Sequence, residues 1–151
     1  ALWQQRGMPG HLVNVSSIAS IAPPANLSAY VASKYAVEGL SEVLAMEFQG
    51  AGIAVSCLHP GVINTAIVQD SSRTHMAPEE VARLQRHYVE HGDHPRVVAQ
   101  DIANGVMKGA GTILSGTGVA RIAFMKRLLP RKTFRKLLID ASRKMGYLPL
   151  K

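Results

Sequence analysis

His11-Leu12-Val13-Asn14-Val15 is a short, largely β-branched apolar run behind a turn containing Gly7 and Pro9, and it predicts a buried strand that ends at Ser16 and Ser17. The next pattern has a different period. From Ala29 to about Gly50, apolar residues recur at helical spacing (Val31, Tyr35, Leu40, Val43, Leu44, Phe48), which predicts a long helix with Ser28 as its N-cap and Gly50 and Gly52 as its stop. Ile53 to Leu58 is a second continuous apolar run, broken at His59-Pro60-Gly61. Strand, helix, strand, with no polar alternation in either strand, is the pattern of a parallel sheet covered on both faces. Beyond Thr65 the character is mixed to about His94, with one helix-like piece from Pro78 to Glu90; it reads as a surface excursion. Pro95 to Lys108 reads as a further helix, closed by Gly109, and Thr112-Ile113-Leu114 as a last strand.

The fold class expected is therefore α/β, part of a doubly wound Rossmann-type parallel sheet. Such a sheet usually opens with a strand, a glycine-rich turn and a helix that grip a pyrophosphate. The glycines here that come nearest, Gly109 and Gly111 with Gly116 and Gly118, follow a helix and flank a strand, so the phosphate-binding unit is expected to lie outside these residues.

At 151 residues and 47% hydrophobic, the chain can bury one sizeable core. No apolar run approaches the ~20 residues that span a bilayer, and the opening residues lack the order of a signal peptide. A cytoplasmic protein is expected. Cys57 is the lone cysteine, which excludes an intrachain disulfide and a cysteine-based metal site. The net charge of +7 is uneven: residues 1–118 carry 7 basic and 9 acidic groups, while residues 119–151 carry 10 basic and 1 acidic. That asymmetry argues against a nucleic-acid surface across the whole domain and divides the chain into a body, 1–118, and a basic extension, 119–151.

Tyr30 and Lys34 stand four residues apart at the start of the long helix, so their Cβ atoms lie about 5–6 Å apart on one face. A phenol titrates near ~10, and a neighbouring ammonium favours its ionised form. Such a phenol can exchange a proton with an oxygen that is becoming an alkoxide or a carbonyl. Ser17, thirteen residues earlier, ends the preceding strand, where open α/β sheets place their ligand crevice. Its hydroxyl can bind the same oxygen; Ser16, Ser17 and Ser20 can equally serve as turn formers.

Asn14-Val15-Ser16-Ser17, Tyr30-Val31-Ala32-Ser33-Lys34, Ala36-Val37-Glu38-Gly39-Leu40, Glu47, Gly52-Ile53 and Pro60-Gly61-Val62-Ile63-Asn64-Thr65, in this order and spacing, resemble the short-chain dehydrogenase/reductases. The resemblance is strong from His11 to Thr65 and looser through the helix and strand that follow. It implies an NAD(P)-dependent oxidoreductase that interconverts a carbonyl and an alcohol, with NAD or NADP as cofactor. It further implies that Ser17 orients the substrate oxygen, that Tyr30 is the general acid/base, and that Lys34 holds the nicotinamide ribose and lowers the pKa of the tyrosine. Pro60-Gly61 would pass beside the nicotinamide, with the Ile63 backbone and the Thr65 hydroxyl meeting its carboxamide. Homo-oligomers paired through helices are also implied. The family's glycine-rich phosphate loop and its Asn-Asn-Ala-Gly segment have no counterpart in the sequence, so this chain is expected to be the carboxy-terminal, catalytic half of a longer or split enzyme. The rival is a non-catalytic cofactor-binding or membrane-associated interaction protein of the same fold.

His91 and His94 bracket Gly92-Asp93 without a third ligand at metal-site spacing, so a surface loop and no metal are expected. His59 and His75 have no evident partner. Ile67, Val68 and Met76 fall where the family roofs its substrate pocket; they fit either an apolar substrate or the packing of a lid. Residues 119–151, broken by Pro130, read as two short basic amphipathic helices. They can lie on an anionic membrane as a peripheral contact, or fold over the chain's own active site with their cations solvated.

Overall fold

The computed structural model describes residues 6–69 and 77–149. Three strands, β1 (Gly10–Val15), β2 (Ile53–Pro60) and β3 (Thr112–Ser115), form a parallel sheet in the order β1-β2-β3. Because the strands are parallel, each return crosses the sheet outside its plane, and helices occupy those crossings. α1 (Ser28–Glu47) joins β1 to β2; α2 (Ala66–Gln69), α3 (Pro78–His91) and α4 (Pro95–Met107) lie between β2 and β3. α5 (Val119–Leu128) and α6 (Arg131–Met145) complete the chain, separated at Pro130 as the sequence pattern anticipates.

Register decides which helix meets which face. Asn14 is aligned with Cys57, and Cys57 with Thr112. Asn14 donates to Ser41 of α1 at 3.1 Å, which puts this parity against α1. The opposite parity meets α4: Ser115 donates to Asp101 at 2.7 Å, and a Cβ on Gly105 would sit 2.6 Å from Ile113 Cγ1. The sheet therefore carries helices on both faces, which is why its strands lack polar alternation. Leu58, at 0% exposure, and Ile113, at 5%, mark the centre of the core. Cys57 is buried as a free thiol, and burial raises its pKa.

Two boundaries differ from the sequence expectation. Ser28 is the first residue of α1 and not its cap; Leu27 caps it without a side-chain bond. Asn26, at φ 61, turns the chain into the helix, and its side-chain amide donates to the Tyr147 carbonyl at 2.6 Å, which ties the entry of α1 to the carboxy-terminal segment. β2 also runs two residues further than expected, through His59 and Pro60, because both align with β3. Proline is tolerated at a strand end, where no ladder bond needs its missing N–H.

The tail packs on the body. Ser142 and Tyr147 are buried, and Ser142 Oγ accepts from the Ala25 N–H at 3.1 Å. Gly146 admits the close approach of α6 to α3, since a Cβ there would lie 2.6 Å from the Glu80 carbonyl. Among the described residues no helix is long and apolar enough to cross a membrane.

On α3, His87 and His91 stack with centroids 4.7 Å apart. Burial first, and then the charge of His91, lower the pKa of His87 from its ordinary 6.5. A histidine depressed in the folded state takes its proton more readily when unfolded, so its stabilising contribution is present above the unfolded value and is lost as pH falls below it. Thermal melting should show this chain losing stability on acidification from neutral to about pH 5, and His87→Gln should shrink that loss; an equal acid loss in the variant would assign it to other groups.

Candidate functional site

β1 ends at Val15, and the chain turns at once. Ser16 and Ser17 precede a single 3-10 turn, Ile18–Ser20, which Ser17 caps by accepting the Ala19 N–H at 3.1 Å. The Ser20 hydroxyl in turn donates to the Ser17 carbonyl at 2.9 Å, which closes the turn on itself. Ser17 is 8% exposed, and its hydroxyl proton remains free to donate after that acceptance.

α1 then comes back alongside the same strand end, and two bonds hold it there. Lys34 Nζ donates to the Val15 carbonyl at 3.0 Å, and Ser16 Oγ donates to the Lys34 carbonyl at 2.8 Å. Tyr30 lies one turn earlier on the same helix face, 43% exposed, with the Lys34 ammonium 5.6 Å from its ring centroid. One of three ammonium donors is taken by Val15, which leaves two. Ser17, Tyr30 and Lys34 thus gather at the carboxyl end of β1.

The third segment follows β2. Gly61 N donates to the Ser115 carbonyl at 2.9 Å, and a Cβ on Gly61 would meet Val119 Cγ2 at 2.6 Å, so only glycine lets α5 close on this strand end. Ile63 bridges in parallel to Asp93: Asp93 N donates to the Val62 carbonyl at 2.9 Å, and Asn64 N to the Asp93 carbonyl at 3.0 Å. Those bonds use the neighbours of Ile63 and leave its own N–H and C=O outside the bridge. Thr65 is half-buried just before α2.

Several residues here carried no signal in the sequence. His59 is 2% exposed, and its Nδ1 lies 3.0 Å from Ser20 Oγ and 3.3 Å from the Ser17 carbonyl, so it braces the Ser17 turn from beneath. Asp93 accepts from the Thr117 hydroxyl at 2.8 Å and from the Thr117 amide, tying the Pro60–Thr65 segment to the β3–α5 turn. Tyr88 and Tyr147 join their hydroxyls at 3.3 Å. Burial raises the pKa of both phenols. The remaining histidines find ordinary work. His94 caps α4 by accepting the Arg96 N–H at 3.1 Å, and His91 stacks on His87. Among the described residues no cluster of three His, Cys, Asp or Glu could hold a metal. His75 and Met76 lie outside the described residues, as does the Val68 side chain; Ile67 is 81% exposed.

The chain is similar in sequence and in fold to known proteins. Residues 2–76 match the profile of the family described as short chain dehydrogenase. A putative oxidoreductase, SadH, of Mycobacterium tuberculosis is 31% identical over 124 residues, covering 80% of this chain and 44% of its own. A cyclohexanol dehydrogenase of Acinetobacter is 34% identical over 94 residues, covering 62% of this chain and 35% of its own. Among solved structures, a short chain dehydrogenase/reductase from Burkholderia phymatum in complex with NAD superposes with a TM-score of 0.68 at 23% identity, over 90% of this chain and 51% of that one. A Burkholderia cenocepacia short chain dehydrogenase in complex with NADP gives 0.64 at 21% identity, over 86% and 47%. The chain spans less than half the length of these curated relatives.

The clamp between β1 and α1 has a measurable cost of removal. Ser16→Ala should lower stability by about 1–2 kcal/mol in urea denaturation with an unchanged slope, the range for losing a buried hydroxyl bond. Ser33→Ala, which removes only an exposed bond to the Tyr30 carbonyl, should stay within about 0.5 kcal/mol of the parent.

Proposed function

Because this chain belongs to the short-chain dehydrogenase/reductase family, we propose that it carries the proton-transfer half of an NAD(P)-dependent oxidoreductase acting on an apolar carbonyl/alcohol pair. The observation that carries the reading is the meeting of Ser17, Tyr30 and Lys34 at one strand end, with the Lys34 ammonium 5.6 Å from the Tyr30 ring centroid.

In this mechanism the Ser17 hydroxyl binds the reacting oxygen of the substrate, and the solvent-exposed Tyr30 passes it a proton or takes one away. Lys34 places positive charge where the phenolic oxygen becomes negative, and its two remaining donors suit the hydroxyls of a ribose. The fit to a nicotinamide group rests on three features at the carboxyl ends of neighbouring parallel strands: those donors at the end of β1, and, after β2, the unbridged N–H and C=O of Ile63 and the hydroxyl of Thr65. When bound, the cofactor supplies or accepts the hydride. The apolar substrate class draws on exposed Ile67 and on the names of the relatives, which include a cyclohexanol dehydrogenase and a 3beta-hydroxysteroid dehydrogenase of Eggerthella lenta. Exposed Leu40, Val43 and Met46, spaced along one side of α1, support pairing between copies through that helix.

The test is Tyr30→Phe in the whole enzyme that carries these residues, followed by nicotinamide absorbance with cyclohexanol and larger secondary alcohols. Turnover should fall by about 10²–10⁴-fold while binding of the nicotinamide cofactor is retained. Undiminished turnover would remove Tyr30 from the mechanism.

A further inference from the structure

A groove of about 530 Å³ opens between the segment that follows Ser20 and the two carboxy-terminal helices. That volume sits within the ~300–1,000 Å³ typical of ligand sites. Its floor is apolar, with Ile21 and Pro23 on one side and Leu129, Phe134 and Leu138 on the other. The charged residues lining it are cations, namely Lys126, Arg131 and Arg135, with no carboxylate among them.

These cations are not compensated within the tail. Asp140 is the single acid of residues 119–151, and Arg143 holds it at 3.6 Å. Among the described residues Lys126 donates to two neutral groups, the Ser20 carbonyl and the Tyr35 hydroxyl, each at 3.3 Å, and it also borders a second cavity that Glu38 and Glu42 line. A fixed ammonium and two guanidinium groups beside an apolar trough select a ligand with two halves, an alkyl chain and an anionic head. A guanidinium fork matches a carboxylate best.

We infer that this groove binds a single-chain amphiphile with a carboxylate head, of the fatty-acid type, its chain along Phe134 and Leu138 and its head among Lys126, Arg131 and Arg135. A bilayer is the lesser candidate, since Phe134 and Leu138 line the groove and α6 is tied to the body through Ser142. Exposed Phe124 and Leu128 lie outside the groove lining, and a vesicle measurement reads their contribution separately. This binding needs neither Tyr30 nor a cofactor, so it stands or falls apart from the oxidoreductase reading.

The experiment is an equilibrium titration of the 151-residue chain in which a fluorescent fatty acid is displaced by octanoate, decanoate, dodecanoate or 1-dodecanol, beside neutral and anionic phospholipid vesicles. Binding should saturate at one site, and each added methylene should tighten it by up to roughly fourfold until the trough is filled. Replacing Arg131 and Arg135 together by Gln should weaken dodecanoate by roughly tenfold and leave 1-dodecanol unchanged. Leu138→Trp, which fills the trough, should weaken both; circular dichroism checks that each variant folds. The inference is overturned if 1-dodecanol binds as tightly as dodecanoate, if affinity ignores chain length, or if only anionic vesicles bind. The chain-length and head-group series on the parent protein decides the matter even if a variant fails to fold.

Discussion

The reciprocal clamp between the end of β1 and α1 is the constraint on which the site depends. Lys34 reaches from the helix to a strand carbonyl, and Ser16 reaches from the strand end to the helix carbonyl of the same lysine. Either bond alone would let the helix pivot about one point. Together they fix its distance and rotation, and with them the direction in which Tyr30 leaves the helix. The same side chain that restrains the backbone also brings its ammonium to 5.6 Å from the Tyr30 ring centroid, so in the proposed mechanism one residue would serve both structure and chemistry.

The other strand end is held by comparable means. His59 and Ser20 brace the carbonyl of Ser17 from below, while Asp93 ties the segment after β2 to the turn after β3. Connecting segments are usually the mobile part of an α/β fold. Here their polar atoms are bonded to neighbouring elements, which holds in register the groups proposed to meet a substrate and a nicotinamide. A buried imidazole bonded to a hydroxyl and a carbonyl is a spacer of fixed shape, suited to that work.

The basic tail gains a different meaning once its packing is known. A free amphipathic helix would offer its apolar side to any surface. In this fold, Ser142 and Tyr147 are buried against the body, and the apolar side of α6 lines a groove whose charged residues are all cations. Charge asymmetry in the sequence thus becomes a local, shaped preference for a small anion with an apolar chain.

Much of this protein was legible in its sequence because the signals are local. Strand and helix periods marked the α/β order, Tyr30 and Lys34 share a face because four residues make about one helical turn, and Pro60-Gly61 announced the end of β2 to within two residues. What the tertiary structure alone decided are pairings across long separations: Ser20 with His59, Thr117 with Asp93, Asn26 with Tyr147, and Tyr88 with Tyr147. Serine, histidine and aspartate satisfy a buried partner as readily from a hundred residues away as from four. Such bonds leave no period in the chain, and so the tie between the entry of α1 and the far terminus could not be read from it.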